Sequence, residues 1–148
     1  MQPPYTPDNY SLDESIGYLI SRARALMAAS LDRALAEFGM THAQFGIFRK
    51  LMDAQSDMTT GDLAREWCYD TGAMTRMLDR LEEKGFVTRD RSRTDRRVVH
   101  VRLSDKGRAL ADQMSGAAIE ALNHHLRGFS ADEVEQFKTF LRRMIANA

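Results

Sequence analysis

The sequence contains few residues that cross-link a chain or prevent helix formation. Cys68 is the sole cysteine among the 148 residues, so the chain can form no internal disulfide and offers no cysteine pair to a metal. This usage fits a reducing compartment. All three prolines fall within the first seven residues, so no fixed φ angle bars the rest of the chain from helix.

Long apolar runs are also missing. The N-terminus reads MQPPYTPDNYSLDES, which has neither the basic start nor the apolar run of a signal peptide, and no stretch approaches the roughly 20 residues of a membrane span. We therefore expect a cytoplasmic protein. The composition, 43% hydrophobic and 28% charged, is typical of a folded chain, and the length suits one domain over residues 1–148.

Net charge of one sign is absent as well. Lys and Arg total 21 and Asp and Glu total 21, which excludes a general binder of polyanions. The charge is uneven, however, because residues 86–102 hold six arginines against Asp90 and Asp95, a local charge of 6 − 2 = +4. Any affinity for nucleic acid must therefore be local.

Apolar residues recur at intervals of three and four along most of the chain, which predicts helices. A long helix is expected over 13–38, ended by Gly39, and Thr41 should cap a second one. Thr59 and Asp62 resemble a capping box for a short third helix, and a tight turn at 68–70 leads into a fourth helix over 71–84. Two short helices joined in this way predict a helix-turn-helix.

The apolar period then changes from 3.6 to 2. Residues 86–91 and 97–103 read as two strands joined by a polar tip, Ser92 to Arg96. Ser104 should cap a fifth helix and Ser130 a sixth. The expected fold is mostly α with a small β-hairpin wing (α+β), in which 41–103 form a winged helix-turn-helix lobe, a motif typical of DNA binding. The terminal helices, in 1–39 and 104–148, have apolar stripes too wide for one small core, so we expect them to be dimerisation helices covered by a partner chain.

The outer side of the fourth helix has the composition of a DNA-reading surface. Small residues let a helix enter the major groove, threonine can contact a base edge or a phosphate, and arginine can bind guanine in a bidentate manner. The candidate contacts there are Thr71, Gly72, Ala73, Thr75, Arg76 and Arg80. The alternative is that Arg76 and Arg80 pair with nearby acids, such as Asp79, on a solvated face.

The hairpin tip supplies the second set of candidate contacts. An arginine at such a tip can reach a narrow minor groove, whose negative potential attracts it. Arg93, Arg96 and Arg97 are the candidates. The alternative is that Asp90 and Asp95 neutralise two of these arginines.

The segment from Leu63 to Gly107, LAREWCYDTGAMTRMLDRLEEKGFVTRDRSRTDRRVVHVRLSDKG, resembles the MarR family of transcriptional regulators. The matching features are a Thr-Arg pair in the recognition helix, a D-R-L-E-x-K-G exit, a D-R-R wing and a Leu-Ser-x-x-G entry to the next helix. Trp67, where the family more often has a smaller aliphatic residue, and the turn residues Cys68 and Tyr69 depart from the family pattern.

The resemblance implies a homodimer, built from the first, fifth and sixth helices, that binds a palindromic operator in double-stranded DNA. It also implies release of a repressor by a small aromatic effector, held between the dimer helices and the DNA-binding lobe. The residues that would fall there are Met27, Phe45, Phe48, Met52 and Trp67. The alternative function is a winged-helix module that binds DNA or a protein constitutively, without an effector.

Other chemistries find little support. Cys68 could sense oxidants, but a lone cysteine in such a turn more often packs. The histidines lack the i, i+4 spacing of a metal site, and no cofactor is expected. The chain shows no phosphate-cradling glycine loop and no nucleophile with a base partner, so we expect no enzyme.

Overall fold

A computed structural model describes residues 3–148 of the chain. The helices are α1 (Ile16–Leu35), α2 (His42–Asp53), α3 (Thr60–Glu66), α4 (Thr71–Glu83), α5 (Asp105–His125) and α6 (Ala131–Ala146). A 3₁₀ turn, Ala36–Phe38, extends α1, and Gly39 follows it with φ 64°. The strands are β1 (Met58–Thr59), β2 (Val87–Arg91) and β3 (Val99–Leu103). The predicted class, mostly α with a small β-hairpin wing, is confirmed.

Polar N-caps place the helix starts where the sequence predicts them. Thr41, Thr59 and Ser130 each accept a hydrogen bond from the backbone N–H three residues later, in reciprocal capping boxes. Ser104 caps α5 in the same way, without the reciprocal bond. The start of α1 was predicted too early, because Ser15 is its N-cap and the helix begins at Ile16.

The strands form an antiparallel sheet in the order β1-β3-β2. In the wing, Val87 pairs with Leu103 and Arg91 with Val99. Val101 and Leu103 are buried, as the alternating pattern predicts. Strand β1 was not predicted, since two residues are too few to show an alternating pattern. It pairs with β3 and joins the wing to the start of α3.

The core lies between the end of α1, helices α2, α3 and α4, the sheet and the first half of α5. The largest fully buried side chains include Phe48, Leu35, Ile47, Leu63, Met74, Leu78, Leu81 and Met114. By contrast, α6 contains no buried residue between Ala131 and Ala146. The apolar side of α6 is exposed at Phe137, Phe140, Met144 and Ile145. Apolar side chains of α1 and of the segment before it are exposed as well: Tyr5, Tyr10, Leu12, Ile16, Leu19 and Leu26.

Among the helices of residues 3–148, none combines the length and the apolar character that a membrane span needs.

Candidate DNA interface

Three buried residues and a capped N-terminus position helix α4. Met74, Leu78 and Leu81 are fully buried and fix one side of the helix against the core. Asp70 is the N-cap, and its Oδ1 accepts a hydrogen bond from the N–H of Ala73 at 2.8 Å. The preceding turn contains Cys68 with φ 53°, a left-handed conformation that is uncommon outside glycine. The turn and the buried side together direct the opposite side of α4 outward.

The outer side of α4 carries the predicted contacts. Thr71, Gly72, Arg76 and Arg80 are exposed, and Ala73 and Thr75 are half-buried. The hydroxyl of Thr75 donates to the carbonyl of Thr71 at 2.8 Å, which leaves its oxygen free to accept. An added Cβ at Gly72 would lie 3.5 Å from Nη1 of Arg76, so the Arg76 side chain lies back over the first turn of the helix.

The arginines of α4 are not engaged by acids. Within residues 3–148, neither Arg76 nor Arg80 forms a salt bridge. Two of the nearby acids have other partners, since Asp79 binds Arg89 and Asp62 binds Arg65. Glu83 forms no salt bridge within residues 3–148. The alternative of a neutralised, solvated face is therefore not what the structure shows for these two side chains.

Arg89 is one of the six arginines in residues 86–102, but its guanidinium group binds acids of α4 and so connects the wing to that helix. Nη2 lies 2.5 Å from Oδ1 of Asp79 and 3.2 Å from Oε1 of Glu82. The hydrogen bond with Glu82, followed by that with Asp79, raises the pKa of Arg89 above its usual value. Its side chain is only 20% exposed. Arg89 therefore has a structural role at the back of the recognition helix.

Hydrogen bonds within the wing tip hold it in a compact turn. Ser92 Oγ accepts from the backbone N–H groups of Thr94 and Asp95, both at 3.3 Å. Asp95 Oδ1 accepts from the N–H of Arg97 at 2.9 Å, and Arg91 Nη1 donates to the carbonyl of Arg96 at 3.1 Å. The tip is thus ordered by its own polar groups.

The three predicted wing contacts are exposed, and none forms a salt bridge in the part of the chain that the structure describes: Arg93, Arg96 and Arg97. The alternative that acids neutralise two of them is not supported. Asp95 binds a backbone N–H, and Asp90 lies 3.4 Å from Arg102 at the base of the wing.

Arg102 ties the base of the wing to the loop after α2. Its Nη2 lies 2.5 Å from Oδ2 of Asp57. This hydrogen bond lowers the pKa of Asp57 and raises the pKa of Arg102. Both side chains are nearly half exposed, so the pair orients the wing more than it stabilises the fold.

The five residues predicted for an effector cleft are not brought together within one protomer. Met27 lines an apolar groove of about 330 Å³ between α1 and α6, whereas Met52 lines a groove of about 430 Å³ between α2, β3 and α5. Phe48 is fully buried in the core and cannot line an open cavity. Phe45 and Trp67 pack against that core, and Trp67 also lies over Gly46 of α2.

Two further residue types were singled out by the sequence. Cys68 is exposed rather than packed in the core. No group of three or more His, Cys, Asp or Glu residues with metal-binding geometry occurs among residues 3–148. His100 Nδ1 is buried without a hydrogen-bond partner in this same range.

Comparison with known proteins identifies relatives over nearly the whole chain. The model of the MarR family matches residues 40–99. E. coli MarR in its apo form is 30% identical with a TM-score of 0.73, and the match covers 88% of this chain and 96% of that one. A mutant E. coli MarR complexed with operator DNA is 29% identical with a TM-score of 0.80, covering 92% and 99%. BpsR of Bordetella bronchiseptica, whose DNA binding is regulated by 6-hydroxynicotinic acid, is 26% identical with a TM-score of 0.80, covering 91% and 96%.

Proposed function

The chain belongs to the MarR family, and from that premise we propose that it is a homodimeric, sequence-specific DNA-binding transcriptional regulator. Helix α4 enters the major groove and the wing enters the adjacent minor groove. The observation that supports this function most directly is the pairing of the arginines in a protein of zero net charge. Within residues 3–148, the exposed arginines of α4 and the wing tip form no salt bridge, whereas neighbouring Arg89 and Arg102 are paired with acids.

Free guanidinium groups suit a DNA contact because they need not break an ion pair before they bind a phosphate or a base. Arg76 lies on the first half of α4 beside small residues, so it is proposed to read a base edge. Arg80, one turn later, is proposed to contact the phosphate backbone of the DNA. Arg93, Arg96 and Arg97 are proposed to contact the minor groove and its phosphates. Thr71, Gly72, Ala73 and Thr75 complete the proposed interface.

A second copy of the chain is the proposed cover for α6 and the exposed side of α1. Phe137, Phe140, Met144 and Ile145 leave 44–75% of their surface exposed in one protomer. Large exposed apolar surfaces of this kind mark association sites. In a two-fold dimer, two recognition helices about 34–36 Å apart would meet successive major grooves of a palindromic operator.

The proposed regulation is loss of DNA affinity when a small aromatic anion binds. Of the two grooves, the one lined by Met52 suits such a ligand better, since it lies between α5 and the DNA-binding lobe and includes Arg102 and Arg108. Arg108 Nη1 donates to the carbonyl of Leu103 at 3.1 Å, which leaves its other nitrogens to bind a carboxylate. The relative BpsR, regulated by 6-hydroxynicotinic acid, supports this ligand class.

The DNA-binding proposal is tested by selecting duplexes from a random-sequence pool and measuring their affinity by fluorescence anisotropy. We expect a palindrome bound about 10³-fold or more tightly than a scrambled duplex at physiological salt. Equal affinity for all duplexes would leave only non-specific binding and would remove the proposed function.

The effector proposal is tested separately by calorimetry, with and without the selected duplex. Aromatic carboxylates should bind to the protein. Because the coupling between two ligands is reciprocal, DNA should weaken the binding of the carboxylate by the same factor by which the carboxylate weakens the binding of DNA, about five- to 150-fold. Arg108→Gln should lose the ligand and keep the DNA affinity. If ligand affinity does not depend on DNA, the constitutive alternative is the better description.

A further inference from the structure

The C-terminal end of α4 is held by hydrogen bonds from three other parts of the fold. Lys84, the C-cap of α4, extends its ammonium group to the carbonyl of Gly39 and to Oε1 of Gln44, the latter at 2.9 Å. These two acceptors lie 45 and 40 residues earlier in the chain. A side chain of the recognition helix therefore contacts the point at which α1 ends and α2 begins.

Both acceptors are fixed in place. Gly39 has φ 64° and ends the 3₁₀ turn after α1. Gln44 is 2% exposed, and its Oε1 also accepts the N–H of Thr41 at 3.2 Å, in the capping box of α2. One amide oxygen thus joins the N-cap of α2 to the C-cap of α4.

The first turn of α5 meets the same end of α4. Lys106 Nζ donates to the carbonyl of Lys84 at 2.7 Å, and the hydroxyl of Ser104 donates to the carbonyl of Gly85. An added Cβ at Gly107 would lie 2.5 Å from the carbonyl oxygen of Phe86, so α5 approaches this segment as closely as a glycine allows. The segment Lys84–Phe86 therefore links the recognition helix to both α1 and α5.

We infer that Lys84 is a positioning residue that fixes the direction of the recognition helix relative to α1 and α5, and so sets the half-site spacing that the dimer accepts. The inference rests on the proposed function, in which α1 and α5 belong to the dimer body and α4 reads the operator. Helix α4 is also held by the apolar contacts of Met74, Leu78 and Leu81 and by the ion pairs that join it to Arg89 of the wing, but none of the Arg89 pairs connects it to α1 or α5. The two hydrogen bonds of Lys84 restrict rotation of α4 because they fix the far end of the helix.

The experiment compares duplexes that differ in spacing alone. The palindrome selected by the wild-type protein is used with its own spacing and with two base pairs inserted at its centre. Fluorescence anisotropy gives the affinity ratio between the two duplexes for wild type, Lys84→Met, Lys84→Gln and Lys84→Arg. Methionine keeps an apolar stem and removes the donors, glutamine is shorter and neutral, and arginine keeps the charge and the donors.

We expect the wild-type protein to prefer its own spacing by about tenfold or more, within the usual range of coupling between sites. The ratio should fall several-fold in Lys84→Met and Lys84→Gln, chiefly through better binding of the lengthened duplex, and should be largely kept in Lys84→Arg. Lys50→Met is the matched control. It removes an ion pair of 2.7 Å with Glu66, between α2 and α3, and should leave the ratio unchanged.

Two results would overturn the inference. An equal loss of affinity at both spacings in Lys84→Met and Lys84→Gln would mean that Lys84 contacts a phosphate or only stabilises the lobe. An unchanged ratio in a variant that melts as a folded dimer would mean that apolar packing alone sets the direction of α4. Failure of the wild-type protein to select any palindrome would instead contradict the proposed function.

Discussion

The arginines near the wing differ in what their guanidinium groups contact, although the sequence presents them as one basic cluster. Arg89 and Arg102 each bind two acids, at the back of α4 and at the base of the wing. The arginines proposed to contact DNA bind none among the described residues, so removing one of them should alter DNA binding and leave folding almost unchanged.

Arg76→Ala should weaken binding to the selected palindrome by about 1–3 kcal/mol and relax base preference at one position, because a bidentate contact to a base is lost. Arg76→Lys is the control, since lysine keeps the charge but cannot bind in a bidentate manner. Anisotropy over single-base variants of the site measures both effects. If Arg76→Lys binds as the wild type does, the contact is to a phosphate.

Arg96→Ala should weaken binding most at sites with A·T-rich flanks, where the minor groove is narrow and its negative potential strongest. The Arg96 carbonyl accepts a hydrogen bond from Arg91, and this bond survives the change, so the tip should keep its shape. Affinity is measured on two duplexes that differ in flanking sequence alone. Equal losses of affinity on both duplexes would mean that Arg96 contacts the phosphate backbone of the DNA rather than the narrow minor groove.

Residue pairings were the least predictable feature of the site. The sequence correctly indicates which side of α4 faces outward, because that follows from helical periodicity. It does not show that Arg89 rather than Arg76 binds Asp79, since this depends on how β2 is positioned against α4 in the folded protein. The prediction that Phe48 lines a cleft failed for a similar reason. A buried and a cleft-lining aromatic on one helix face share the same spacing.

At the scale of elements, the N-cap residues and the glycines that follow helices predicted most helix boundaries correctly. Strand β1 was missed because its two residues acquire their conformation by pairing with β3. The contact between α5 and the segment before β2 also depends on tertiary packing, which the local sequence does not specify. Gly107 is the one residue of the sequence that indicates this close approach. A glycine in the first turn of a helix is otherwise unfavourable.

Gly107→Ala should destabilise the protein by about 1–3 kcal/mol, because the added Cβ would overlap the Phe86 carbonyl and the gain in helix propensity does not offset this. Urea denaturation at fixed protein concentration measures the free energy of unfolding. Gly116→Ala, in the same helix with open space around it in the protomer, should be neutral or stabilising. Equal effects of the two changes would contradict the close approach.

At the scale of the molecule, a single protomer leaves the apolar side of α6 uncovered. Replacing Phe140 and Ile145 with Asp should convert a species of about twice 16.8 kDa into a folded monomer or an aggregate, because these side chains are 48% and 75% exposed in the protomer. Sedimentation velocity at micromolar concentration measures the mass. Thr139→Asp, on the opposite and exposed side of α6, should remain dimeric.

The division into dimerisation helices and a DNA-binding lobe, predicted from the sequence, stays a prediction until such a variant is made. The exposed face of α6 supports it, as does the position of the core within the lobe. A wild-type protein that sediments as a folded monomer would contradict it.

Hydroxyl-radical footprinting of the wild-type protein on its selected palindrome tests the central claim most directly, that two recognition helices and two wings of one dimer bind DNA together. The account predicts protected segments with two-fold symmetry on one face of the duplex, their centres about 10–10.5 base pairs apart, with flanking protection lost in Arg96→Ala. A single protected segment, or protection independent of sequence, would contradict it.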